Sequence, residues 1–120
     1  MSKYTFEQVK SFAGVEVVVL KPTYLGGIEK TWGWMKLAGQ YGLQVTISST
    51  FETDLGLYTL AQIAGCTKHQ YIAGLDTLKW FKEDLLQGQL RIQKGRIHLN
   101  DKIDLAACLK SPHLKEIANA

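Results

Sequence analysis

A chain of 120 residues is long enough for one domain with a real core, and 46% hydrophobic against 21% charged residues is the balance of a soluble protein. The net charge of +3 comes from scattered lysines, with no basic stripe interleaved with aromatics, which argues against nucleic-acid binding. Two distant cysteines without CxxC spacing exclude a disulfide framework and a zinc site, and no apolar run approaches a membrane span or a signal peptide, so the sequence predicts a cytoplasmic protein with no membrane partner.

In chain order, Thr5 to Phe12 places Phe6, Val9 and Phe12 at helical spacing, and Gly14 can end that helix. Val15 to Leu20 is almost continuously aliphatic, the pattern of a strand buried on both faces in a parallel sheet. Pro22 stops the ladder and presses Lys21 toward extended geometry. Gly26-Gly27 turns into a helix from Ile28 to about Tyr41, with an expected inward face of Ile28, Trp32, Met35 and Ala38. Leu43 to Ile47 reads as the second strand. A polar loop, Ser48–Asp54, leads to a helix from about Leu55 to Ala64 that is apolar nearly all round and so should be well covered.

Tyr71 to Ala73 reads as a short third strand, and Leu78 to Leu86 as a further helix carrying Trp80 and Phe81. Gln89 to Leu99 alternates around Lys94-Gly95, a hairpin signal, and the tail from Ile103 to Ala120 is weakly helical. Residues 1–88 are thus read as βα units and 89–120 as hairpin and tail. Strands alternating with helices predict an α/β fold with a parallel sheet. Three such strands cannot close a barrel, so the expectation is a partial (β/α) barrel with open edges.

Lys21, Ser48 and Gly74 stand at three successive strand ends, spaced 27 and 26 residues apart. In a parallel barrel such positions converge on the rim where active sites are built. Alone, a lysine at a strand end is ordinarily a solvated one, serines after a strand ordinarily cap the next helix, and Glu52 and Asp76 have equally ordinary roles at helix starts. His69, His98 and His113 share no metal-like spacing and read as surface residues. The three tryptophans read as packing residues, and Cys66 and Cys108 as small hydrophobes or idle thiols.

Val17-Val18-Val19-Leu20-Lys21-Pro22-Thr23, the stretch Ile47-Ser48-Ser49-Thr50-Phe51-Glu52-Thr53-Asp54-Leu55-Gly56-Leu57, and Gly74-Leu75-Asp76-Thr77 together resemble the o-succinylbenzoate synthase family. That family lies in the muconate-lactonizing branch of the enolase superfamily, and the hairpin around Gly95 is similar to the one closing that superfamily's chains. The resemblance spans about residues 5–105. It implies the last units of a (β/α) barrel and a dehydratase of menaquinone or phylloquinone synthesis that removes a proton α to a carboxylate. In the complete enzyme Mg²⁺ stabilises the resulting enediolate; none is expected for this chain alone.

By the same resemblance Lys21 is the catalytic lysine opposite a second one. Thr23, Ser48, Ser49, Thr50, Glu52, Gly74 and Asp76 then form the substrate-binding rim for a small carboxylate. The second lysine, the three metal-binding carboxylates and the capping domain have no counterpart here, and Glu7 and Glu16 sit in a helix and a strand where they cannot replace them. The expected partner is therefore a missing N-terminal barrel half and cap, or a second copy in a non-catalytic, self-associating half-barrel. Sister activities of the branch (muconate cycloisomerase, dipeptide epimerase, N-acylamino acid racemase) are the alternatives, with Ser48–Thr50 favouring the synthase.

Overall fold

The structure is a computed structural model that describes residues 5–67, 71–99, 102–112 and 114. It opens with a short helix, α1 (Phe6–Lys10), started by a reciprocal cap: Thr5 Oγ1 accepts from Gln8 N–H, and Gln8 Oε1 accepts from Thr5 N–H at 2.8 Å. Buried Phe6 meets Trp34 edge-on at 5.1 Å between ring centres and Tyr41 at 5.6 Å, so an aromatic cluster docks this helix.

Strand β1 (Val17–Leu20) pairs in parallel with β2 (Gln44–Ile47), Val19 standing opposite Thr46 and Leu20 opposite Ile47. Between them run a single-turn helix, α2 (Pro22–Leu25), and α3 (Ile28–Gln40). Helix α4 (Asp54–Gly65) follows β2, and α3 and α4 both pack against that strand. Val18, Leu20, Val45 and Ile47 enter the core with Ala38, Leu57, Leu60, Ala61 and Ile63. The apolar character expected of α4 is matched by its cover, since four of its hydrophobic residues are buried.

The expectation of burial on both faces of β1 is corrected. Val18 and Leu20 are buried, but Val19 is 59% exposed. Strand residues alternate in direction, and α3 and α4 cover only one face of the ladder. The other face carries exposed Val19 with half-buried Val17, Thr46 and Ser48, and no described helix covers it.

Three further expectations change. In α3 the inward residues are Thr31 and Ala38 with Trp34 and Met35 partly buried, whereas Ile28 and Trp32 are exposed. Thr31 wins its place because its hydroxyl is satisfied by the Gly27 carbonyl at 2.8 Å. The third strand is reduced to one parallel bridge, Ser48 to Gly74, with Gly74 N–H on the Ile47 carbonyl and Ser49 N–H on the Gly74 carbonyl, each at 2.9 Å. The Leu78–Leu86 helix stops after a single 3₁₀ turn at Leu78–Trp80, and Trp80 and Phe81 are exposed.

The hairpin stands as read, though shorter: β3 (Ile92–Gln93) and β4 (Arg96–Ile97) pair antiparallel. Lys94 at φ 49° and Gly95 at φ 72° supply the two positive angles that a two-residue turn of this twist needs. A short α5 (Leu105–Leu109) follows. Cys66 is exposed and Cys108 buried, both as free thiols. His69 and His113 lie outside the described residues, and His98 is exposed. No helix of the described residues is long and apolar enough to cross a membrane.

Candidate active site

The parallel register decides which side chains meet. Because Leu20 stands opposite Ile47, the next residues, Lys21 and Ser48, point to the uncovered face together. Lys21 Nζ donates to Ser48 Oγ at 3.1 Å and to the Ser49 carbonyl at 2.5 Å. Among the described residues Lys21 forms no ion pair, so its charge is held by neutral acceptors.

Gly74 completes this group by close approach. A Cβ built there would stand 2.9 Å from Ser48 Oγ, inside normal contact. Ser49 is only 4% exposed, and its hydroxyl donates backward to the Gly74 carbonyl at 3.2 Å and meets Thr77 Oγ1 at 3.1 Å. Thr77 ties two strand ends together, a role that its place in a Gly-Leu-Asp-Thr run does not announce.

Thr23, Thr50 and Glu52 form a second group beside the first. Glu52 accepts from the Thr23 hydroxyl at 2.5 Å, from Thr50 N–H at 2.6 Å and from the Thr50 hydroxyl. Partial burial pushes the Glu52 carboxyl up, and the hydrogen bonds from Thr23 and Thr50 outweigh it, holding the group below its ordinary 4.5. Between Thr50 and Glu52, Phe51 takes φ 65°, a left-handed angle that costs a bulky residue roughly 1–2 kcal/mol. Asp76 is exposed and pairs with Lys79 at 2.9 Å.

Asp54 has no place in the sequence reading except as the end of a polar loop. It is 2% exposed at the first turn of α4, and its carboxylate accepts from the backbone N–H of Leu55 at 2.9 Å, Leu85 at 3.0 Å and Leu86 at 2.6 Å. Its signal in the sequence was Thr53-Asp54 ahead of an apolar helix, where Thr53 is the N-cap and Asp54 the favoured first-turn acid.

A metal has no holder within this set. The three carboxylates that follow the second and third strand ends are committed, Glu52 to threonines, Asp54 to backbone N–H groups and Asp76 to Lys79. Among the described residues no group of three His, Cys, Asp or Glu could hold an ion. The residues here do not fit the divalent cation of the complete family enzyme.

The family model for Enolase C-terminal domain-like proteins matches residues 1–105. The chain belongs to that family. Several similar curated proteins bear the name o-succinylbenzoate synthase. The o-succinylbenzoate synthase of Aliivibrio fischeri (strain ES114) is 42% identical over 77 residues, 64% of this chain and 24% of that protein. The o-succinylbenzoate synthase of Escherichia coli O6:K15:H31 is 46% identical over 76 residues, 63% of this chain and 22% of its own length. That of Citrobacter koseri is 48% identical over 66 residues, 55% of this chain and 21% of its own. The matched stretch thus spans less than a quarter of the length of these curated relatives. The resemblance read from the three strand-end motifs is borne out at the level of family.

Proposed function

We propose that this chain forms the last units of a (β/α) barrel and contributes one face of an o-succinylbenzoate synthase-like dehydratase site in the cytoplasm, active only with a complementary N-terminal portion. The observation that carries this reading is the unpaired Lys21 ammonium at the end of a parallel strand, beside the Ser48 hydroxyl and the Gly74 backbone. Removing a proton α to a carboxylate builds an enediolate, and that charge forms at useful rates only where fixed positive charge or donors already stand. Lys21 can supply such a charge because no carboxylate of the described chain neutralises it.

In this reading Lys21 stabilises the anion formed from 2-succinyl-6-hydroxy-2,4-cyclohexadiene-1-carboxylate, and Ser48 and the Gly74 backbone bind around it. The base on the opposite face, the metal ligands and the capping domain come from the complementary portion. The 40–48% identity to proteins bearing the synthase name supports the synthase over its sister activities.

A second reading rests on the uncovered strand face. A half-barrel that self-associates would bury Val19 and Ile72, which are 59% and 92% exposed.

The deciding experiment mixes the purified chain with the N-terminal portion of the Aliivibrio fischeri relative and follows dehydration with Mg²⁺ supplied. Turnover only in the mixture, lost in Lys21→Ala, supports the first reading. Turnover by the chain alone would overturn the need for a complement, and silence in the mixture despite complex formation would overturn the catalytic reading.

A further inference from the structure

One peptide group in this site is gripped at both ends. The Ser49 carbonyl accepts from Lys21 Nζ at 2.5 Å, and the N–H of the same peptide, that of Thr50, donates to Glu52 Oε2 at 2.6 Å. A cation, a peptide dipole and an anion therefore stand in line, with the oxygen toward the ammonium and the hydrogen toward the carboxylate. Charge-assisted hydrogen bonds are shorter and stronger than neutral ones, and bonds in series polarise one another. Glu52 also takes the hydroxyl of Thr23, which lies two residues beyond Lys21 on α2. The carboxylate thus binds the turn after β1 and the loop after β2 around the lysine.

We propose that Glu52 is a positioning residue for Lys21, acting through the Ser49–Thr50 peptide to set where the ammonium stands. Its relevance to catalysis rests on the reading of Lys21 given above; the linkage itself does not. The left-handed Phe51 fits this role, because Glu52 can reach back to Thr50 N–H only if the residue between them turns sharply. The ionisable groups on the elements around Glu52 are Lys21 at the end of β1, Tyr24 in α2 and Asp54 in α4. Asp54 is turned away, onto Leu85 and Leu86. Protonating Glu52 removes the charge that strengthens its bond from Thr50 N–H and turns one carboxylate oxygen into a donor, which loosens the peptide and withdraws the carbonyl from Lys21.

The test is an NMR titration of the ¹⁵N-labelled 120-residue chain over about pH 6 to 3, which brackets the carboxylate range. Two signals are followed, the Thr50 amide and the Lys21 ammonium, with exposed Lys36 as the reference. The expected result is one shared midpoint below 4.5 for both signals, a flat Lys36, and loss of both steps in Glu52→Gln. Thr23→Val, which removes one donor to the carboxylate, should raise the shared midpoint while leaving the two signals coupled. A Thr50 step without a Lys21 step, or a Lys21 step that persists in Glu52→Gln, would overturn the proposal. If Glu52→Gln does not fold, the Thr23→Val midpoint decides alone. No substrate or turnover enters this readout, so its failure leaves the enzymatic reading standing, and failed complementation leaves the linkage standing.

Discussion

Lys21 differs from an ordinary surface lysine in having its ammonium oriented by neutral oxygens with no ion pair among the described residues, the condition in which a fixed charge can serve an incoming anion. On the proposed reading, Lys21→Ala should lower turnover of the chain mixed with its complement by about 10²–10³-fold or more, the loss typical of one missing donor at a developing oxyanion. Lys21→Arg should rescue little of it, because a planar guanidinium cannot reproduce a compact ammonium seated on Ser48 Oγ and the Ser49 carbonyl. Steady-state kinetics of the two variants checks both statements. Gly74→Ala is expected to act on the same place by another route. Its Cβ would crowd Ser48 Oγ at 2.9 Å and displace the hydroxyl that Lys21 shares, so activity should fall more than melting temperature. Equal stability and unchanged kinetics in that variant would remove Ser48 from the site. Glu52 carries a pH dependence of definite sign. With its carboxyl held below 4.5, its stabilising share is present above the unfolded value and is lost as pH falls through the depressed one. Glu52→Gln should therefore flatten the acid limb of the stability curve, by a small amount because the group is only partly buried and still screened by water.

At the scale of elements, the connector after the 3₁₀ turn is tied down by carboxylates, Asp84 on Gly88 N–H and, from outside the connector, Asp54. Asp54 collects the N–H groups of Leu85 and Leu86, and these are the donors that a helix through Leu86 would have spent on its own carbonyls. Asp54→Ala should strand them in a buried place, at a cost of about 1–3 kcal/mol for each unsatisfied donor. Denaturant melting would measure the loss, and hydrogen exchange should quicken selectively at Leu85 and Leu86. Unchanged protection there would mean that packing of Leu86, not Asp54, holds the connector. This contact explains why the Leu78–Leu86 helix was misread: the apolar spacing was real, but a side chain 31 residues upstream competes for its backbone. The α3 face was misread for a related reason, since Thr31 is polar by type yet buried once its hydroxyl bonds Gly27. What was legible rested on local chemistry: the helical spacing of Phe6 and Val9 in α1, the strand-ending Lys21-Pro22, and the Lys94-Gly95 turn. The meeting of Lys21 with Ser48 was legible as a common spacing of strand ends. The bridging peptide between Lys21 and Glu52 was not, because it depends on backbone orientation at Phe51.

At the scale of the whole molecule, the chain exposes more surface than its size calls for. A compact monomer of 13.4 kDa would expose about 6,500 Å², against 8998 Å² here. Its radius of gyration of 16.3 Å exceeds the roughly 13.6 Å of a compact 120-residue domain, and its shortest extent is 23 Å. Part of the excess is the open strand face with Val19. Another part is an apolar cleft of about 560 Å³ between α4 and the hairpin, lined by Ala61, Ala64, Ile72, Leu75, Ile92 and Ile97. Apolar surface of this kind, next to a strand β1 whose outer edge is unpaired among the described residues, favours association. A second copy can cover the apolar face, but a preceding parallel strand can do so and also satisfy the β1 edge. The complementary N-terminal portion should therefore outcompete self-association. Sedimentation of the chain alone is expected to show species heavier than a monomer, and addition of that portion to convert them into a one-to-one complex with a single cooperative melt. Val19→Lys on the open face and Ile72→Lys at the cleft, both at exposed positions outside the covered core, should weaken both assemblies. A monodisperse monomer, indifferent to the added portion and to both substitutions, would show that the open face is not an interface and would withdraw the half-barrel reading with it.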